Sequence, residues 1–416
     1  MKTIILDDDP TGTQSASHVT VVLECSVDEL VDVLRHDDAV YVQTNSRAID
    51  EAAAVALVTS IRDMGVAAGE ALGERVRFVL RGDSTLRGHV FAETEVFLND
   101  DAVMVFVPAF PAGGRTTRDN IHLVQAGGRT LPAHETEYAD DPVFPFRTGV
   151  LNDYVREKSS RAPLAVSLLN VRAGSVFEAI RNAAPGAVVV PDAVNDDDVR
   201  MIAAGIVAAE AEGRTVVVRC AAPLAAALAG VQSEGLLDRP LVSGPVRVLL
   251  ACGSHTAGAT SQLARFGDDF GAPVVISTDA ALTAPAAAGR SAAAEAAVRL
   301  ESGRVTSVST ERTRQAEHNT LSHGEAVMTA LTTAVRELVP HVDVVVAKGG
   351  ITSAELAHAG VGATRATVLG QVSPGVSVWQ LESFEHKPVL YVVVPGNVGD
   401  SETLVDVMHA LGLSGR

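Results

Sequence analysis

The chain has 416 residues, enough for two domains that each bury a core, and 47% of them are apolar while only 4% are aromatic. Its formal charge of −18, from 51 acidic and 33 basic side chains, excludes the basic face of a nucleic-acid binder, so any anionic ligand must be met by a locally basic pocket. Cys25, Cys220 and Cys252 are far apart and form no CxxC pair, which reads as buried thiols of a reducing compartment. Too few apolar residues precede the first acids for a signal peptide, and no apolar run reaches the roughly 20 residues that cross a bilayer. The expectation is a cytoplasmic protein with no membrane and no nucleic-acid partner.

The first predicted element is the strand Ile4-Ile5-Leu6, which breaks into Asp7-Asp8-Asp9-Pro10-Thr11-Gly12-Thr13-Gln14. A β-branched run ending in carboxylates and a Pro/Gly turn reads as a buried strand delivering acid groups to the mouth of a sheet. Three adjacent carboxylates repel, so a cation, a cationic side chain or a polyhydroxylated ligand is expected to share their site. Strand-like runs follow at Val19–Leu23, Ala39–Val42, Val76–Leu80, Ala102–Val107, Ala165–Leu168, Ala187–Val190 and Thr215–Arg219. Ser26 with Glu29 and Ser175 with Glu178 have capping-box spacing, and Asp50 can cap an Ala-rich helix expected to stop at Gly65. This alternation predicts a mainly parallel sheet with helices on both faces. The stretch Pro108–Glu157, rich in Gly, Pro, Arg and His and poor in periodicity, is expected to be a lid or binding loop.

Directly after the strand Val76–Leu80 comes Arg81-Gly82-Asp83-Ser84-Thr85-Leu86-Arg87-Gly88-His89. Two arginines bracketing Asp-Ser-Thr at a strand end form a carboxylate clamp beside partners for sugar-like hydroxyls, although the same residues also make an ordinary capped turn with solvated arginines. Gly113-Gly114-Arg115-Thr116-Thr117-Arg118 likewise reads as an anion-binding loop or as a solvated one.

The turn-rich patch Leu237–Pro245 separates the halves, giving expected domains 1–240 and 245–416. The second half repeats one local pattern three times. Val246–Cys252 runs into Gly253-Ser254-His255-Thr256 and a helix ending at Gly267. Asp343–Ala347 runs into Lys348-Gly349-Gly350-Ile351 and the capping-box pair Thr352 and Glu355. Val389–Val394 runs into Pro395-Gly396-Asn397-Val398-Gly399-Asp400 and a last helix. Glycines let backbone N–H groups approach an anion, and a helix N-terminus adds about half a positive charge. One such turn is most often plain architecture; three in one domain describe a phosphate cradle, here without a Walker A or GxGxxG sequence. The histidines carry less: His318 and His323 are five apart, His134-Glu135-Thr136-Glu137 is not HExxH, and no GxSxG elbow is present.

With these motifs the chain resembles the four-carbon acid sugar kinases. Asp8, Asp9, Thr11 and Gly12 match that family's opening ADDLTG, and Asp83-Ser84-Thr85-Leu86-Arg87-Gly88 is similar to its DSTLRG signature. Val107-Pro108-Ala109-Phe110-Pro111, Glu135-Thr136-Glu137, Gly253-Ser254, Gly349-Gly350 with Thr352-Ser353, Pro374-Gly375-Val376 and Gly396-Asn397-Val398-Gly399-Asp400 follow in the family's order over nearly the whole chain. The departures are Pro10, where many relatives have Leu, and Ile351, where the family's GGETS segment has an acid.

The resemblance implies two α/β domains with mainly parallel sheets and ligand sites at strand C-terminal ends facing an interdomain cleft. It implies ATP-dependent phosphorylation of a terminal hydroxyl of a tetronate or 3-oxo-tetronate. Asp9 and Asp83 are the expected catalytic carboxylates, with Asp9 favoured as base. Arg87 with Arg81 would grip the substrate carboxylate, Asp8, Thr11, Ser84 and Arg115 would complete the sugar-acid site, and Asp7 would be structural. Ser254, Gly349, Gly350, Thr352, Ser353, Gly396, Asn397 and Gly399 would cradle ATP, with Mg²⁺ held mostly by phosphates and waters and its protein ligands unassigned. The expected partners are a small sugar acid and ATP, with a homodimer as candidate assembly. The competing readings are a dinucleotide-dependent oxidoreductase of a small hydroxy acid and a non-catalytic sensor of sugar acid and nucleotide.

Overall fold

The computed structural model describes all residues except 127, 234, 313–320, 397 and 416, and the chain divides into the units Met1–Ser233 and Glu234–Arg416. The expected boundary patch lies inside the second unit. The Leu237 amide donates to Gln371 O at 2.7 Å, the Leu241 amide to Ala410 O at 2.7 Å, and Arg239 to Val372 O at 2.7 Å.

In the first unit the strands are β1 (Lys2–Asp7), β2 (Val19–Val22), β3 (Ala39–Gln43), β4 (Val76–Arg81), β5 (Val103–Val107), β6 (Arg115–Arg118), β7 (Ile121–Ala126), β8 (Arg129–Pro132), β9 (Pro163–Val166), β10 (Val188–Pro191) and β11 (Val216–Cys220). A parallel sheet runs β2-β3-β1-β4-β11-β5-β10-β9. Because β1 lies between β3 and β4, Asp7 stands opposite both Gln43 and Arg81. The acidic turn and the first arginine therefore leave the sheet side by side.

The face of β1 carrying Ile4 and Leu6 packs with Val40, Val42, Val58 and Ile61. The last two belong to the helix Glu51–Leu72, whose N-cap Asp50 accepts from the Ala53 amide at 2.8 Å. This helix does not stop at Gly65. A Cβ there would sit 2.7 Å from the Phe78 ring and 2.8 Å from Ile4, so Gly65 marks close helix–strand packing, and the left-handed stop is Gly73 at φ 66°. Contrary to the expectation from apolar runs, this helix of 22 residues is long and apolar enough to cross a membrane by length and composition. Its Ala54, Val58, Ile61, Gly65 and Ala68 are buried, while Arg62 and Asp63 pair on its outer side.

Other local expectations shift. The β9 strand precedes the expected run, because Ser167 accepts from the Asn170 amide and caps a helix beginning at Leu168. Ser175 makes no side-chain cap, since its φ −80° and ψ 6° are not the extended geometry a cap needs. Within the stretch expected to be a lid or binding loop, the strands β6, β7 and β8 fold as an antiparallel meander, β6-β7-β8, with bridges from Thr117 to Ala193 and from Ile121 to Val150.

The second unit contains β12 (Val248–Cys252), β13 (Val274–Ile276), β14 (Val305–Thr310), β15 (Val344–Lys348), β16 (Arg365–Ser373), β17 (Val376–Glu382) and β18 (Pro388–Val394). The order is β13-β14-β12-β15-β18-β17-β16, parallel through β18 and antiparallel thereafter. One face of β12, β15 and β18 buries Val248, Leu250, Val344, Val346, Val392 and Val394 against the helices Ala257–Phe270 and Thr403–Ala410. Both units are thus α/β, with the glycine turns of the second following the C-terminal ends of its parallel strands.

Candidate functional site

In the first unit a buried network of carboxylates and guanidiniums forms where β1, β4 and β11 end. Asp7, Asp8 and Asp9 are 0%, 1% and 2% exposed. Arg81 Nη1 donates to Asp7 Oδ1 at 3.0 Å and Asp9 Oδ1 at 2.8 Å, and its Nη2 to Thr11 Oγ1 at 2.9 Å. Arg219 on β11 donates to Asp8 Oδ2 at 3.1 Å and also pairs with Glu93. Arg47, in the turn after β3, pairs with Asp9 and lies 3.7 Å from both Asp8 Oδ1 and Asp83 Oδ2. Cationic side chains are therefore what holds the three adjacent carboxylates together, and the glycines let them close in. A Cβ on Gly12 would fall 2.1 Å from the Asp7 carboxylate, and one on Gly82 2.5 Å from the Arg219 guanidinium.

Asp83 Oδ2 accepts from Arg87 Nε at 2.8 Å and from the Thr85 hydroxyl. Burial works to raise this carboxyl, but Arg87 and Arg47 with those hydrogen bonds prevail and hold it well below the usual carboxylate range. Asp7 is the opposite case: burial, opposed by Arg81 and reinforced by Asp8, pushes it up to about 7. Its Oδ2 and the Tyr41 hydroxyl are buried without a hydrogen-bond partner. Arg87 sits 5.0 Å over the Tyr138 ring and 3.6 Å from Asp141. The Leu86 residue between these groups is held at φ 70°, with its carbonyl accepting from Tyr154 Oη at 2.8 Å.

Exposure separates the four guanidiniums of the network. The side chains of Arg81 and Arg219 are 2% exposed, against 10% for Arg47 and 21% for Arg87. Arg81, expected to share the grip on substrate, instead lies beneath the carboxylates with both terminal nitrogens engaged by Asp7, Asp9 and Thr11. Arg47 was missed from the sequence because Asn45-Ser46-Arg47 carries no motif; its only signal is its place after a parallel strand adjacent to β1. Asp8, Asp9, Thr11 and Asp83 join the network. Ser84 contributes its carbonyl to His122 Nε2 at 2.8 Å, and Arg115 bonds the Gly113 carbonyl in the turn before β6. His122 is pushed down to about 4 by burial, with Arg115 adding to that push.

In the second unit three turns interlock. A Cβ on Gly253 would lie 2.5 Å from Thr352 Oγ1, one on Gly349 (φ 118°) 3.0 Å from both Ser254 Cβ and Thr352 Oγ1, and one on Gly396 2.7 Å from Ser254 Oγ. Thr256 caps the helix Ala257–Phe270, accepting from the Ala259 amide at 3.2 Å, and donates to Gly396 O at 2.7 Å. Ser254, Gly349, Thr352 and Gly396 are thus brought together. Gly350 begins the helix Gly350–Glu355, so Thr352 and Glu355 are not its capping box. Ser353 is fully buried and donates to Gly349 O at 2.7 Å, which turns its hydroxyl away from any cradle. Gly399 (φ 84°) packs on Thr403 at the start of the last helix. Asn397 and His318 lie outside the described residues.

Among the described residues no group of three or more His, Cys, Asp or Glu side chains is arranged to hold a metal ion. The Asp7–Asp9 carboxylates face guanidiniums, which does not fit a resident divalent cation.

Residues 3–228 match a family model described as a sugar-binding N-terminal domain, and residues 249–404 one described as a nucleotide-binding C-terminal domain. A D-erythronate kinase of Heliobacterium modesticaldum is 31% identical over 276 residues, covering 62% of this chain and 59% of that protein. A D-threonate kinase of Bordetella bronchiseptica is 34% identical over 236 residues, covering 56% of this chain and 51% of that protein. The chain thus spans little more than half the length of the curated relatives it matches. The solved structure of protein HI1011 of Haemophilus influenzae shares the fold, with a TM-score of 0.63 at 17% identity, covering 98% of this chain and 100% of that one.

Proposed function

The chain belongs to the four-carbon acid sugar kinase family, and on that premise we propose that it transfers the γ-phosphoryl group of ATP to a terminal hydroxyl of a four-carbon sugar acid, a tetronate or 3-oxo-tetronate. The observation that carries the reading is the pairing, in one chain, of a carboxylate–guanidinium network in the sugar-binding unit with an interlocked glycine cradle in the nucleotide-binding unit. Arg87, the most exposed guanidinium of the network, grips the substrate carboxylate, and Arg47 supports it. Asp8 and Asp83 accept from the sugar hydroxyls. Asp9 takes the proton of the attacking hydroxyl, while Asp83 is held anionic by two guanidiniums and a hydroxyl.

Phosphoryl transfer through a loose transition state asks for positioning and charge neutralisation more than for base strength. The backbone amides around Gly253, Gly349 and Gly396, with the Ser254 and Thr352 hydroxyls, hold the phosphates. Mg²⁺ is brought in on the ATP and supplies neutralisation of phosphate charge.

The test is a coupled ADP-release assay over a panel of D-erythronate, D-threonate and the 3-oxo-tetronates with ATP and Mg²⁺. Turnover with at least one acid is expected. No turnover with any of them, in a protein whose melting temperature ATP raises, would replace the kinase by a sensor.

A further inference from the structure

We propose that Lys348, with Arg312 beside it, is the cation that binds the nucleotide polyphosphate in this chain, a role for a residue outside the glycine and hydroxyl motifs. The proposal rests on the reading that the second unit takes a nucleotide. Along β15 alternate residues share a face, and Val344 and Val346 point into the core formed with β12, β18 and the helices Ala257–Phe270 and Thr403–Ala410. Lys348 is next on that face, so its side chain leaves the core at the end where the glycine turns converge. Its register partners are Cys252 on β12 and Val394 on β18, the residues from which the other two turns depart.

Lys348 is 0% exposed, and its Nζ donates to the Pro395 carbonyl at 2.6 Å. Arg312 donates to the Ser254 carbonyl, lies 3.8 Å from Cys252 Sγ and reaches Thr260 Oγ1 at 3.4 Å. Among the described residues no carboxylate forms an ion pair with either cation. Burial pushes the Cys252 thiol up, so it stays neutral and is no counter-ion. The N-terminus of the helix Ala257–Phe270 adds further positive potential at the same turn.

A buried ammonium without a counter-charge is costly, and burial drives Lys348 down to about 8. In a protein of net charge −18, two cations with no ion-pair partner among the described residues, at one cradle, are the locally basic pocket that an anionic ligand requires. A polyphosphate supplies the missing charge and turns the cost into affinity.

The test measures binding of ATP, adenosine and inorganic tripolyphosphate to the full chain by titration calorimetry, alongside melting of the ligand-free protein. Lys348→Met keeps length and volume while removing charge. It should weaken ATP and tripolyphosphate by about 10- to 100-fold, the scale of a charge-assisted contact. Adenosine affinity should be unchanged, and the ligand-free protein should melt at or above the wild-type temperature. Arg312→Gln should give the same selective loss.

Unchanged ATP affinity in Lys348→Met overturns the proposal and leaves the nucleotide reading intact. Equal loss of adenosine and ATP, or a lower melting temperature, makes Lys348 a structural clamp on the Pro395 turn and also overturns it. Wild-type binding of tripolyphosphate but not of ATP or adenosine would instead sink the nucleotide reading while the anion site stands. Binding of none of the three sinks both.

Discussion

Asp7, Asp8 and Asp9 are adjacent in the chain yet occupy three electrostatic situations, because each meets a different arginine set. A carboxyl whose folded pKa is raised stabilises the fold fully below its unfolded value, and that contribution is lost as pH rises through the folded one. For Asp7 the window runs from 3.8 to about 7. The shift corresponds to about 4 kcal/mol. Asp7→Asn should therefore flatten the fall in urea midpoint between pH 4 and pH 7, and an unaltered pH profile would show that Asp7 is ionised throughout. Asp9, engaged by Arg81, Arg47 and Thr11, is the base of the proposed transfer, and on that proposal Asp9→Asn should lower kcat by about 10²- to 10⁴-fold with the fold intact by circular dichroism. Full activity would move the base elsewhere. Arg47 compensates Asp8 and Asp9 of the first turn and Asp83 of the second, so Arg47→Met strands charge and should cost about 3–5 kcal/mol in denaturant unfolding. A loss below about 1 kcal/mol would make Arg47 a surface group.

At the scale of elements, the fold brings these charges together through strand order. The β1 strand between β3 and β4 places Arg47 and Arg81 on either side of the acidic turn, and β11 beyond β4 adds Arg219 from 211 residues away. This depends on the helix Glu51–Leu72 seating closely on β1 and β4 through Gly65. Gly65→Ala should overpack the Phe78 and Ile4 contacts and cost about 1–3 kcal/mol, although alanine favours helix. A rise in melting temperature would show that propensity outweighs the clash. The helix was legible from Asp50 and its Ala-rich pattern; its end was not, since a glycine that breaks a helix and one that lets a strand approach look alike in sequence. The β6-β7-β8 meander was hidden for a related reason. Its outer strands β6 and β8 are four residues long and carry Arg and Thr, and pairing with β7, not periodicity, identifies them.

For the whole molecule, two units with different site chemistry predict separable ligand footprints. In hydrogen exchange, a four-carbon acid that is turned over should slow amides around 44–48 and 81–89, and ATP those around 253–260 and 348–353. A footprint of the acid confined to the second unit would reverse the assignment of ligands to units. The sequence by itself determined the two α/β halves, most strand positions, the acidic and Arg-bearing turns and the three glycine turns. These are local signals, written in runs of β-branched residues, caps and turn formers. Tertiary structure alone decided which carboxylate meets which arginine, that Arg81 lies beneath the carboxylates while Arg87 and Arg47 reach toward solvent, and that Lys348 pairs with no carboxylate among the described residues. Charge pairing follows strand order and register, which join residues far apart in the chain. Burial then fixes what each pair is worth, because removal of water alters both the cost of a charge and the strength of its partner.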